Sequence, residues 1–140
     1  VRWFNKDNWC SDWQTNPNCD WFVIEINNNY RVQVRGRGTG DGSRFECRSG
    51  NTINLNDWNH VGVVVDREEG SKIIIYVNGV KTVCDVSNLL TGSLDAVGKP
   101  IKLGGTWAEY KGRIDEVAIF KRALTEQAVL TYFSNINEKL

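Results

Sequence analysis

The sequence predicts an all-β protein: an antiparallel β-sandwich with one short C-terminal helix. Three observations predict it. Short runs rich in Val, Ile, Phe and Tyr alternate with polar residues at a period of two. Turns made of Gly and Asn separate those runs. Only "KRALTEQAVLTYFSNI", near the end, carries helical spacing.

Taken in order, "CDWFVIEINNNYRVQVRGRG" reads as a hairpin. Phe22, Ile24 and Ile26 alternate with Trp21, Val23 and Glu25; beyond "NNN", Tyr30, Val32 and Val34 alternate with Arg31, Gln33 and Arg35. One face is apolar and the other partly wet. "GRGTGDG" breaks the pattern as a loop. "SRFECRSG" is a short strand, and "TINLNDWNHVGVVVD" leads into a stronger one. After the turn "REEGS" comes "KIIIYVNGVKTV", whose Asn78 and Gly79 form a two-residue hairpin signal. "PIKLGG" and "GRIDEVAIF" read as two further strands. In the tail Thr125 is a helix cap, and Ala128, Val129, Tyr132 and Phe133 make an apolar stripe of one or two turns. Many short strands joined by tight turns make a two-layer sandwich.

The bulk numbers narrow the function. The chain has 140 residues, 41% apolar and 24% charged, which suits one globular domain with a real core. Lys and Arg together number 17, as do Asp and Glu, so the net charge is zero and no overall basic nucleic-acid footprint exists. No apolar run reaches membrane-spanning length. The four cysteines permit three pairings. Cys10 with Cys19 is the economical local pair, leaving Cys47 and Cys84 in strand-like stretches. Loop-closure entropy gives roughly 3 kcal/mol for the short loop and roughly 4 for the long one. Disulfides imply an oxidising, extracellular or secreted setting. Reduced core cysteines and a zinc site are the competing readings, and with His60 the only histidine, zinc lacks its usual spacing.

No catalytic constellation emerges. His60 follows Asp57 by three residues, and a lone histidine at a strand start reads as structural or exposed. No serine sits in a nucleophile elbow. Glycosidase chemistry needs two facing carboxylates; Glu25, Glu46, Asp115 and Glu116 are present, but nothing local pairs them. "GRGTGDG" lacks the lysine and the following helix of a phosphate loop. For calcium, Asp7, Asp12, Asp41, Asp66 and Asp115 supply oxygen donors, without EF-hand spacing.

The aromatics are more telling. Trp58 precedes a strand and is expected in the core. Trp9 and Trp13 flank or occupy the loop between Cys10 and Cys19, and Trp107 lies in "GGTWAEYKG" with Tyr110. A sugar ring stacks its axial C–H face on an aromatic while its hydroxyls exchange hydrogen bonds with Asn, Gln, Asp or Arg. Trp9, Trp13, Trp107 and Tyr110 are therefore candidate ligand-binding residues. The opposing reading makes the tryptophans seals at the ends of the sandwich. Arg31, Arg35 and Arg37 form a basic strand face, with Arg44 and Arg48 nearby. Arg35 and Arg37 would grip an anionic glycan, or they belong to a solvated face balanced by Glu25 and Glu46.

One long segment resembles a known family. "LNDWNHVGVVVDREEGSKIIIYVNGVKTV", then "IKLGG", then "GRIDEVAIFKRALTEQAVLTYF" is similar to the laminin-G-like jelly roll of the concanavalin A-like lectin/glucanase superfamily. The match rests on Trp58, His60 and Val61; on Tyr76, Val77, Asn78 and Gly79; on Gly112, Ile114, Asp115, Glu116 and Val117; and on Arg122, Ala123, Leu124 and Thr125. It is specific over residues 55–133. The resemblance implies two antiparallel sheets face to face and a non-catalytic binding domain, often one part of a larger secreted protein. It implies calcium and glycan as ligands, with Asp115 matching the family's calcium-associated aspartate. The family usually has one or two strands before the region matching "VRWF", so residues 1–140 are expected to be a single such domain short of its N-terminal strand or strands. The Cys10–Cys19 loop has no counterpart in the family core and reads as a device that presents Trp13. The expected function is a carbohydrate-binding module, against two alternatives: a protein-binding adhesion or structural domain, and a glycoside hydrolase or polysaccharide lyase on the same frame.

Overall fold

A computed structural model describes residues 2–7, 21–38, 44–67, 70–86, 94, 98–104 and 110–137. Among them, the strands are β1 Arg2–Asp7, β2 Trp21–Ile26, β3 Arg31–Arg37, β4 Arg44–Thr52, β5 Val61–Asp66, β6 Lys72–Val77, β7 Val80–Asp85 and β8 Lys102–Leu103, followed by the helix α1 Glu126–Asn137. They form a five-stranded sheet, in the order β4-β3-β2-β1-β8, and a three-stranded sheet, β5-β6-β7. Every paired strand is antiparallel.

Period-two patterning sets the inner faces. Ile24 pairs with Val34 and Ile26 with Val32, while Val34 faces Cys47 and Gly36 faces Phe45 across the next ladder. Val32, Val34, Phe45 and Cys47 pack with Ile73, Ile75, Val77 and Val86, and Phe22, Ile24, Val61, Val63 and Val65 border them. This is the sandwich core, with β4 lying over β6 and β7, and β3 over β6. The disulfide Cys47–Cys84 ties β4 to β7 and so joins the two sheets, with its Cα atoms 5.7 Å apart. One buried polar group stays in this core because it is fully used: Ser49 Oγ accepts from Val32 N at 3.1 Å and donates to Asn51 O at 2.6 Å. Gly36 has no room for a side chain, since a Cβ there would lie 2.2 Å from the Phe45 ring and 2.8 Å from the Trp21 carbonyl oxygen.

The outer face of β5 and β6 is covered by α1. Their even-numbered residues turn away from the sandwich core, so Gly62, Val64, Ile74 and Tyr76 meet α1. Val64, Tyr76 and Val129 form a second buried cluster with Ile74, Leu124 and Leu130. The helix begins as its sequence suggests: Thr125 Oγ1 accepts from Ala128 N at 3.3 Å, and Thr125 O accepts from Val129 N. Lys81 on β7 pairs with Glu126 at 2.5 Å, placing the acidic first turn against a cation. The β6–β7 turn has Asn78 at φ 51° and Gly79 at φ 80°, the two positive angles of a type I′ hairpin.

Three expectations need correction. Residues 113–120 are not a strand: Ile114, Val117, Ile119 and Phe120 are all exposed, and Glu116 has φ 51°. Asp115 Oδ1 accepts from Glu116 N at 2.8 Å, a local bond that competes with a ladder. The helix has 12 residues, about three turns rather than one or two, because the outer face of β5-β6-β7 offers a continuous apolar seat. Trp58 is not in the core but 45% exposed, for a reason given below. The pairing expected for Cys10 and Cys19 lies outside the described residues.

Candidate binding face and its flanking loop

The side of the five-stranded sheet turned away from the core is polar, and ladder register builds it. Trp21 on β2, Arg37 on β3 and Arg44 on β4 form one cross-strand row; Val23, Arg35 and Glu46 form the next; Glu25, Gln33 and Arg48 form the third. The sequence places these residues here simply by parity, since each is one position away from a core residue. On β2, β3 and β4 four arginines stand against two glutamates, which makes that part of the face basic.

Ion pairs order it. Arg35 Nη2 bonds Glu25 Oε1 at 2.5 Å, with the Arg35 side chain one-third exposed. Arg48 pairs with Glu46 along β4. Asn27 Nδ2 donates to Gln33 Oε1 at 3.3 Å at the end of the rows. The face is not uniformly open: Val23, Gln33 and Arg37 are buried, with Arg37 only 4% exposed, whereas Arg44, Glu46 and Arg48 reach solvent. The buried Nε of Arg35 has no hydrogen-bond partner among the described residues. A guanidinium clamped on one side by a carboxylate and one-third exposed can offer its accessible nitrogens to an incoming oxygen acceptor.

Of the residues singled out from the sequence, Arg35 and Arg37 come together on this face with Arg44, Arg48, Glu25 and Glu46. Tyr110 lies elsewhere in the chain order, half-buried, its hydroxyl donating to Arg113 O at 3.2 Å. Trp9, Trp13 and Trp107 lie outside the described residues, as do Cys10 and Cys19. Asp115 is exposed. Among the described residues no three His, Cys, Asp or Glu side chains converge. No described helix is long and apolar enough to cross a membrane.

Sequence reasoning missed two features. Gln33 shares the parity of Arg35, and that signal was available. The other is the loop carrying Trp58. Asn59 Oδ1 accepts from Asn54 N at 2.8 Å, and Asn59 Nδ2 donates to Asn54 O at 2.7 Å and to Asp57 O at 3.0 Å. Asp57 Oδ1 accepts from Trp58 N at 2.8 Å. Asn78 in turn donates to Asn59 Oδ1 at 3.0 Å and accepts from His60 N at 2.9 Å. These bonds turn the loop outward and Trp58 with it. Next to it His60 is half-buried, with its ring centroid 5.2 Å from that of Phe133 on α1; burial pushes its pKa below the usual histidine value.

A laminin-G family model, described as concanavalin A-like lectin/glucanases superfamily, matches residues 2–130. The chain belongs to that superfamily. Among solved structures, it is similar to an S-layer domain-containing protein (residues 221–444) from Clostridium thermocellum ATCC 27405, at 19% identity and a TM-score of 0.40. That match covers 81% of this chain and 56% of the other, so the chain spans little more than half of the solved relative. Comparison with curated proteins gives no match. Superfamily membership accounts for the two packed antiparallel sheets.

Proposed function

We propose that this laminin-G-like domain is a non-catalytic glycan-binding module of a secreted or surface protein, and that the outer face of β2, β3 and β4 grips a carboxylated or sulfated glycan. The observation that carries this reading is Arg35: held in place by Glu25, one-third exposed, and central to a three-strand face with more arginines than glutamates. Arg44 and Arg48, both exposed on β4, add further donors. The carboxylates Glu25 and Glu46 orient arginines on this reading and perform no chemistry. Trp9, Trp13, Trp107 and Tyr110 are the rings proposed to stack on sugar, with Trp13 presented by a Cys10–Cys19 staple. Calcium held near Asp115 is part of the same proposal, and the inter-sheet disulfide supports a secreted setting.

A glycan array with and without calcium tests the reading. Heparin-type or uronate-rich glycans are expected to bind, and Arg35→Gln is expected to weaken the best of them about tenfold or more, as loss of one charge-assisted contact predicts. Equal binding by the variant overturns the role of this face. A second reading, a protein-binding adhesion domain, is favoured by the exposed apolar residues Ile114, Val117, Ile119 and Phe120. It predicts an array without hits.

A further inference from the structure

The loop 54–59 carries a feature that the arginine face does not explain. Its backbone is tied down by Asn59 and Asn78, yet it displays Trp58 at 45% and Leu55 at 56% exposure. A large ring held outward on a hydrogen-bonded loop has already lost the freedom that binding would otherwise remove. Asn54, Asn56 and Asp57 are exposed around it, and the side chains of Asn54 and Asn56 take no part in the bonds that hold the loop. At the same end of the sandwich, Ile53 N donates to Tyr30 O at 2.8 Å, which brings the exposed Tyr30 of the β2–β3 turn alongside.

We propose that this loop is a second saccharide subsite, separate from the arginine face, with Trp58 as the stacking platform and Asn54, Asn56 and Asp57 as the groups that exchange hydrogen bonds with hydroxyls. The class of ligand follows from charge. Asp57 is the only charged side chain between residues 51 and 60, given a neutral His60. A sulfate or uronate here would meet the like charge of Asp57, while Arg31, opposite Thr52 at the base of the loop, has its Nη1 donating to Ser49 O at 3.3 Å; a neutral sugar unit gives its C–H face to the indole and its hydroxyls to two amides and a carboxylate. The loop thus takes neutral glycan units and the arginine face acidic ones, so one domain reads two kinds of unit.

The test uses the full chain labelled with 5-fluorotryptophan, with the Trp58 fluorine resonance assigned by Trp58→Phe. Cellohexaose, xylohexaose and mannohexaose are the neutral probes, and a heparin hexasaccharide is the acidic one. At least one neutral probe is expected to shift the Trp58 resonance saturably, and Trp58→Ala to weaken that probe about tenfold or more, as truncation of a central aromatic contact does. The heparin hexasaccharide is expected to leave the Trp58 resonance in place. The proposal is overturned if no neutral probe moves that resonance, if the acidic probe moves it, or if it shifts with protein concentration alone, which marks contact between copies. Should Trp58→Ala fail to fold, the wild-type titration and Trp58→Phe decide. Arg35→Gln separates the two sites: loss of acidic binding with neutral binding intact supports both, and absence of any acidic binding removes the arginine face while leaving this loop standing or falling on its own resonance.

Discussion

At the scale of single residues, burial and local hydrogen bonds decide outcomes that residue type alone does not. Trp58 is the clearest case. Its size predicts a core position, but Asn59 and Asp57 satisfy the loop backbone locally and turn the indole to solvent. His60 lies at the other limit: its Nδ1 is buried without a partner among the described residues, and Phe133 packs on its ring. Desolvation lowers its folded-state pKa below the ordinary 6.5. The stabilisation is therefore fully present above pH 6.5 and is lost as pH falls through the depressed folded value, because the unfolded chain takes up the proton first. Urea midpoints of the wild type are expected to fall more steeply between pH 7 and pH 5 than those of His60→Gln. Parallel curves would remove His60 from the acid response.

At the scale of elements, alternation read the faces of β2 and β3 from the sequence, because a period of two leaves little freedom once one face is buried, and β4 to β7 were legible as strand runs bounded by turns. The hairpin at Asn78 and Gly79 was equally legible, since two positive φ angles in succession favour Asn-Gly. Residues 113–120 defeat the same method. The apolar residues are there, but Asp115 and Glu116 bend the backbone locally, and the described residues offer no partner strand. The helix was legible by its cap and not by its length. Thr125→Ala, which removes the acceptor for Ala128 N, is expected to cost about 1 kcal/mol of unfolding free energy. Chemical denaturation measures it, and a loss below a few tenths would show that packing of Val129 against Val64 and Tyr76 sets the start of α1 without help from the cap.

At the scale of the whole molecule, the two sheets are held by one apolar core and by Cys47–Cys84, which closes a separation of 37 residues. Closing that length of chain constrains the unfolded state by about 4 kcal/mol on the loop-entropy model. Cys47→Ala together with Cys84→Ala is expected to lower unfolding free energy by roughly that amount or more, since Cys47 is also fully buried and its removal loosens the core. Denaturation of the double variant beside the wild type checks it, and unchanged stability would mean that the core alone registers the sheets. The polar face opposite this core depends on the same registration, because Arg35, Gln33 and Glu25 are positioned by ladders whose inner residues are Val34, Val32 and Ile24.

The amino-acid order by itself determined the class of fold, the alternation that separates core from face, the tight turn at Asn78 and the start of the helix. Each is a local preference repeated often enough to leave one solution. It also marked Arg35 and Arg37 as members of a single strand face. Only the tertiary structure decided the pairings that are not hairpins, β1 with β8 above all, and which sheet lies over which, since those partners are distant along the chain. The Cys47–Cys84 pair was open to the sequence as the partner left over from a local Cys10–Cys19 pair, and the structure shows it crossing between the sheets. The tertiary structure alone turned Trp58 outward, because the bonds that do so run from Asn59 to Asn54 and from Asn78 to Asn59, and the latter contact exists only after two strands have folded back on each other.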